Sequence, residues 1–99
     1  METETYLDKR FAKDPSIVER KIGDEFILVP IRQRAGEVES IYTLNEVAAR
    51  VWELLDGQRD VASIRDTVVE EFEVGPEEAE IDVVEFVRQL EHAGAVREG

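Results

Sequence analysis

The chain contains no cysteine and only one histidine among its 99 residues. The absence of cysteine excludes disulfides, thiolate metal sites and a cysteine nucleophile, and it fits a reducing compartment. A single histidine, His92, is too little for the histidine-rich ligand sets that hold zinc, and it disfavours a serine–histidine triad. The sequence therefore predicts a protein that has no catalytic residues, binds no metal and holds no cofactor.

Long apolar runs are also missing. No segment approaches the roughly 18 consecutive apolar residues that indicate a membrane-spanning helix. Residues 1–5 are acidic, whereas a signal peptide begins with basic residues. We therefore expect a cytoplasmic protein that makes no contact with a membrane.

Positive charge is scarce, with 12 basic residues against 24 acidic ones and a net charge of −12. Residues 1–44 hold 9 acids and 7 bases, a net of −2, while residues 45–99 hold 15 acids and 5 bases, a net of −10. So acidic a surface repels phosphate, which makes nucleic acid and anionic membranes poor partners for the second half. Solubility alone would also account for the charge.

The pattern of apolar residues predicts an α+β domain, in which a three-stranded antiparallel meander precedes a winged-helix-like bundle of three helices. Residues 1–14 carry mixed charge and are expected to form a loosely ordered arm, and residues 15–99 a single domain. In a meander the first and third strands are the edges. The predicted strands are 17–22, 26–31 and 38–44, and the predicted helices run from 46 to 56, from about 60, and from 76 to about 93.

Turn and cap residues support these boundaries. Asn45 is a favourable N-cap for the first helix, Gly57 suits its end, and Pro76 suits the first position of the third helix. Gly23 fits a two-residue turn between the first two strands. Pro30 cannot donate a backbone hydrogen bond, so we place it at the end of the second strand or at a bulge.

The third helix carries more apolar residues than one core-facing side requires. Its core-facing stripe is predicted to contain Ala79, Val83, Phe86, Val87, Leu90 and Ala93. In the whole chain, the residues predicted to be largely buried are Trp52, Leu54, Phe72, Phe86 and Leu90. A second stripe, well rotated from the first, contains Ile81, Val84 and Arg88 at helical spacing. A helix with two such stripes either lies between two layers or binds a partner, and the sequence leaves both possibilities open. The edge of the third strand presents backbone groups that an extended peptide can pair with.

Several segments together resemble the PqqD-like family of small peptide-binding chaperones, also called RiPP recognition elements, which includes the pyrroloquinoline-quinone biosynthesis chaperone. The resemblance implies a chaperone that binds the leader segment of a ribosomally made precursor peptide. The leader would add a strand to the third strand and pack on the third helix. The partner would be a modifying enzyme, such as a radical S-adenosylmethionine protein. The segments that carry the resemblance are 28–30, 41–48, 51–57, 61–64, 82–87 and 94–96.

Carried over by position, the resemblance implies a peptide site on the third strand and the third helix. The only cations it would place near an acidic leader are Arg32, Arg34 and Arg88. The implied peptide-binding residues are Ser40, Ile41, Tyr42, Thr43, Leu44, Ile81, Val84, Glu85 and Arg88.

Two other classes of protein are compatible with the predicted bundle. A DNA-binding regulator would need a basic recognition helix, whereas the third helix is strongly acidic. An acidic adaptor or regulator that binds a protein partner and no peptide fits the charge equally well. The identity of the precursor peptide and of the partner enzyme is not encoded in any of these patterns.

Overall fold

The computed structural model describes residues 6–30 and 42–99. Within these two ranges the chain forms three α-helices and six short strands, and the strands are arranged in two antiparallel sheets. The strands are β1 (Arg10–Lys13), β2 (Ile17–Ile22), β3 (Glu25–Pro30), β4 (Tyr42–Leu44), β5 (Asp56–Asp60) and β6 (Val96–Glu98). The helices are α1 (Glu46–Leu54), α2 (Val61–Phe72) and α3 (Pro76–His92).

The first sheet is the predicted meander, with strand order β2-β3-β4. Gly23 has a φ of 63°, which allows the tight turn that pairs β2 with β3 from Ile22 opposite Glu25 to Ile17 opposite Pro30. Pro30 is the last residue of β3, as expected. The predicted third strand is confirmed over 42–44, while its remaining residues and the loop at 32–37 lie outside the described ranges.

The second sheet, with order β5-β1-β6, was not predicted. β1 is its central strand, and Phe11 within it is completely buried. Residues 6–13 are therefore part of the folded domain, which corrects the expected loose arm for that stretch of residues 1–14. The four residues of β1 contain one large apolar side chain, which is too short a pattern to indicate a strand without its distant partners.

The end of α1 also differs from the prediction. The helix stops at Leu54, and the chain continues almost directly into β5 instead of extending the helix to 56. Gly57 does adopt the left-handed conformation expected of it, with a φ of 78°, but it does so inside β5. The pairing of β5 with β1 shifts register there, as at a β-bulge.

The other predicted helix boundaries are confirmed. The Asn45 side chain accepts a 2.8 Å hydrogen bond from the backbone N–H of Ala48, which satisfies one unpaired donor at the start of α1. Asp60 caps α2 in the same way through the N–H of Ser63 at 2.8 Å. Pro76 begins α3. The helix boundaries were readable in advance because capping depends on residues close in sequence.

The core lies between the three helices and the inner faces of both sheets. Of the five residues predicted to be largely buried, Trp52, Leu54 and Leu90 are buried, whereas Phe72 and Phe86 are only partly buried. The completely buried aliphatic side chains come from all three helices. Burial of each such side chain contributes roughly 1.5–3 kcal/mol. Across the described ranges, none of the helices has the length and apolarity needed to cross a membrane.

Candidate functional site

β4 forms one edge of the first sheet. It pairs with β3 through Leu44 opposite Phe26 and Tyr42 opposite Leu28, and within the described ranges no strand pairs with its other side. Leu44 is buried and Tyr42 is partly buried, whereas Thr43, on the opposite face, is exposed. The outer side of β4 therefore offers backbone donors and acceptors to an additional strand.

An apolar pocket begins where β4 ends. Its volume is about 340 Å³, at the lower end of the roughly 300–1,000 Å³ typical of ligand pockets. Eight of its ten lining residues are apolar, so it suits an uncharged, hydrophobic group. The pocket is lined by Asn45, Val47, Ala48, Val51, Val68, Val74, Ala79, Asp82, Val83 and Phe86.

Helical spacing explains how distant segments build this pocket. On α3, Ala79, Val83 and Phe86 are four and three residues apart, so their side chains lie on one side of the helix. On α1, Val47 and Val51 are likewise four residues apart and line the facing side. Phe86 is only partly buried because it lines this open pocket as well as packing against the core.

Among the described residues, the only charged side chain that lines the pocket is Asp82, and it is exposed to solvent. Together with Glu78 and Glu85, which are also exposed, it occupies positions i, i+4 and i+7 of α3. We call these three residues the acidic row. Each member immediately precedes one of the apolar lining residues of α3, so the acidic row runs beside the apolar side of the pocket.

The second apolar stripe predicted on α3 does not form one surface. Val84 is buried, with 6% of its surface exposed, whereas Ile81 is 60% exposed. Glu85 and Arg88 are exposed as well. None of these four residues lines the pocket beside β4. Of the two possibilities that the sequence left open for this stripe, burial within the domain holds for Val84, whereas Ile81 stays exposed.

The N-terminal segment packs on the same side of α3 as Val84. The Tyr6 hydroxyl donates a 3.1 Å hydrogen bond to the Glu91 carboxylate, which lies two helical turns beyond Val84 on the same side of α3. Burial, reinforced by the negative charge of Glu91, raises the pKa of Tyr6. The segment that contains Tyr6 therefore packs against this flank of α3, and the pocket occupies the other flank.

The strand half of the predicted site is placed as expected where it is described. Tyr42, Thr43 and Leu44 form β4 itself. Ser40 and Ile41 lie outside the described residues, as do Arg32 and Arg34.

Sequence reasoning missed the helix half of the pocket. The apolar pattern assigns Val83 and Phe86 to the core, and Asp82 is counted only as one of the acids of the third helix. A usable signal was the repeated acidic–apolar pairing along α3, at 78–79, 82–83 and 85–86, which marks the border between solvent and an apolar surface. That border cannot be distinguished from an ordinary core border until the position of α1 is known.

The described residues of this site do not form a metal-binding or acid–base catalytic arrangement. Over residues 6–30 and 42–99, no three His, Asp or Glu side chains come together in a way that could hold a metal ion. His92 is exposed near the end of α3 and does not line the pocket. The arrangement is suited to binding through backbone pairing and apolar contact.

An unpaired strand edge beside an apolar pocket, in a small α+β domain, is typical of proteins that bind extended peptides. A family model described as coenzyme PQQ synthesis protein D (PqqD) matches residues 25–96, more than two thirds of the chain. The chain therefore belongs to the PqqD family.

Two solved structures share the fold. One is TbiB1 in complex with the TbiA(beta) leader peptide, with a TM-score of 0.68 and 24% identity; the match covers 87% of this chain and 94% of that one. The other is lasso peptide synthetase B1 complexed with the leader peptide, with a TM-score of 0.70 and 25% identity over 89% of this chain and 98% of that one. No curated protein sequence shows significant similarity.

Proposed function

We propose that this protein is a non-catalytic partner that binds the leader segment of a ribosomally made precursor peptide and presents it to a modifying enzyme. The observation that carries the proposal is the edge of β4 beside the apolar pocket, an edge that no strand of the described residues pairs with. The fold that places them together is shared with two proteins whose structures are described as leader-peptide complexes. In this proposal the leader adds an antiparallel strand to β4.

In strand addition, backbone hydrogen bonds provide affinity and side-chain contacts provide selectivity. Each backbone hydrogen bond made with Tyr42–Leu44 contributes about 0.5–1.5 kcal/mol net and depends little on sequence. Successive side chains of the added strand point to opposite faces, so every second one faces the domain. An apolar side chain buried in the pocket adds roughly 1.5–3 kcal/mol and selects the peptide.

The role of the chain is to hold the peptide while another protein modifies it. Its chemistry fits this role, since the pocket contains apolar groups, one amide and one carboxylate. The partner enzyme would be of the class that modifies ribosomal peptides, for example a radical S-adenosylmethionine protein. That choice of enzyme and the cytoplasmic location both stay predictions.

An NMR titration tests the proposal, with synthetic leader segments of candidate precursor peptides as the probes. Amides of residues 42–48 and 79–86 should show the largest shifts, because they flank the strand edge and the pocket. If instead the predicted α3 residues make the contact, the shifts will centre on Ile81, Glu85 and Arg88. Shifts confined to β2 would contradict the proposed site altogether.

A matched pair of variants on α3 tests the contribution of the pocket. Phe86→Ala should weaken binding of the leader about tenfold or more, because it removes apolar contact worth roughly 1.5–3 kcal/mol. Ile81→Ala, exposed and away from the pocket, should leave affinity unchanged. Circular dichroism and denaturation of both variants separate a binding defect from loss of fold. Equal effects of the two substitutions on binding would argue against the pocket.

The adaptor that binds a protein partner and no peptide is the less supported alternative, because both structural relatives are described with peptides bound. A DNA-binding role is opposed by the charge of α3, which carries six acids against one arginine over Pro76–His92. A retardation assay at low salt would detect DNA binding.

A further inference from the structure

The acidic row places three carboxylates beside the pocket without compensation. Over the described residues, no lysine or arginine lies within ion-pair distance of Glu78, Asp82 or Glu85. On the α1 side of the pocket the exposed Glu46 follows Asn45 directly. Acids therefore flank the pocket on both helices.

The bases of the helical half are engaged elsewhere. Arg88 is the exception, and it is exposed on the outward side of α3, away from the pocket. The other four form internal ion pairs: Arg50 with Glu71 at 2.9 Å, Arg59 with Asp56 at 2.6 Å, Arg65 with Glu80 at 2.7 Å and Arg97 with Asp14 at 2.7 Å.

The strand side of the site adds no net positive charge. Lys21 lines a shallow depression next to the start of α1, but Asp24 and Glu46 line the same depression. One base against two acids leaves this region negative. A peptide bound along the described part of the site therefore meets a negative electrostatic potential from the β2–β3 turn to α3.

From this charge pattern we infer that the peptide recognised by this protein is cationic around its apolar anchor. The inference rests on the proposed function and specifies its substrate class: an extended segment with one large apolar side chain and at least one lysine or arginine close to it. The apolar side chain occupies the pocket, and the basic side chains reach the acidic row. An acidic leader would be repelled at the same place.

Charge complementarity between the basic peptide and the acidic row should increase specificity and the association rate more than it increases affinity. Each exposed ion pair is worth about 0.2–1 kcal/mol, which corresponds to about 1.5- to 5-fold in Kd. With two or three such pairs, the Kd of a cationic peptide should be about tenfold lower than the Kd of its neutral counterpart. Added salt should reduce this preference, because the carboxylates of the acidic row are exposed.

Selection from a phage-displayed library of random dodecapeptides tests the inference on the full chain. The enriched peptides should combine an aromatic or branched aliphatic residue with lysine or arginine within a few positions. One enriched peptide is then synthesised in three forms, with its basic residues kept, made neutral or replaced by glutamate. Kd should rise in that order, and the differences should shrink at high salt.

Two charge-removing substitutions supply the matched comparison. Asp82→Asn should weaken binding of the cationic form about 1.5- to 5-fold more than it weakens binding of the neutral form. Glu70→Gln removes an exposed carboxylate of α2 that does not line the pocket, and it should change the Kd of neither form. Both positions are exposed, so the fold should survive both changes.

The outcomes separate this inference from the proposed function. Enriched peptides that require Phe86 but show no preference for basic residues, or prefer acidic ones, would overturn the inference and leave peptide binding standing. Enriched peptides whose binding is unaffected by Phe86→Ala, or the absence of any enrichment, would overturn both the proposed site and the inference that rests on it.

Discussion

Replacement of Val84 by aspartate should destabilise the whole domain, although the residue lies on a helix that is exposed along much of its length. Only 6% of the Val84 surface is accessible, and its side chain belongs to the same apolar cluster as Leu90 and Val87. An aspartate there must either be buried or displace the residues that pack on this side of α3.

The expected loss follows from two contributions. Removal of a buried valine forfeits roughly 1.5–3 kcal/mol of burial. A carboxyl group buried without a hydrogen-bond partner costs about 1–3 kcal/mol more. The sum, about 2.5–6 kcal/mol, is a large part of the roughly 5–15 kcal/mol that stabilises a domain of this size.

Urea denaturation followed by tryptophan fluorescence measures this loss, because Trp52 is buried in the same core. With a slope of about 1–3 kcal/mol per molar urea, a loss of about 4 kcal/mol lowers the midpoint by roughly 1–4 M. Ile81→Asp is the matched control: it lies one turn earlier on α3 and is 60% exposed, so it should cost less than about 0.5 kcal/mol.

The pH dependence identifies the cause of the loss. Burial raises the pKa of the introduced carboxyl above its unfolded value, so the loss should be largest at neutral pH and should diminish as the pH falls toward about 4. An unchanged midpoint for Val84→Asp, or equal losses for both variants, would refute the assignment of Val84 to the core.

Two further predictions concern the second sheet and its neighbourhood. Gly57→Ala should lower the free energy of unfolding by about 1–2 kcal/mol in the same urea assay, because alanine is strained at a φ of 78°. The added methyl group would also lie 3.4 Å from Cβ of Ala12. An unchanged midpoint would show that β5 relaxes to accommodate alanine. Hydrogen bonds from Ser16, aided by Arg97, lower the pKa of Asp14 to about 2. The stabilisation that the Asp14 carboxylate provides should therefore be complete above its unfolded pKa of about 3.9 and be lost as the pH falls to about 2. The Asp14→Asn variant should not show this loss. Parallel curves of stability against pH for the two proteins would contradict this prediction.

The features that could be predicted from the sequence are those set by neighbours along the chain. Asn45 and Asp60 cap their helices because a short polar side chain reaches a backbone N–H only three residues away. Gly23 turns the hairpin because it can adopt a positive φ. The edge position of β4 followed from the short connections of a meander.

The sequence also carried the resemblance to the PqqD family and the acidity of the helical half, both of which depend on residue identity alone. Periodicity on α3 correctly separated buried from exposed positions at Val83, Val87 and Leu90. It assigned Phe86 to the same buried set, whereas the structure leaves part of that ring in an open pocket.

Only the tertiary structure decided which partner covers each face of α3. Val84 is buried within the domain, and the Tyr6 hydroxyl bonds to Glu91 on the same side of α3, a contact between residues 85 positions apart. The second sheet has the same origin, since β1 pairs with strands that follow it by tens of residues. Helical periodicity shows which residues share a face, but it contains no information about what packs on that face. For that reason the acids of the acidic row can be identified in the sequence, whereas the pocket beside them cannot.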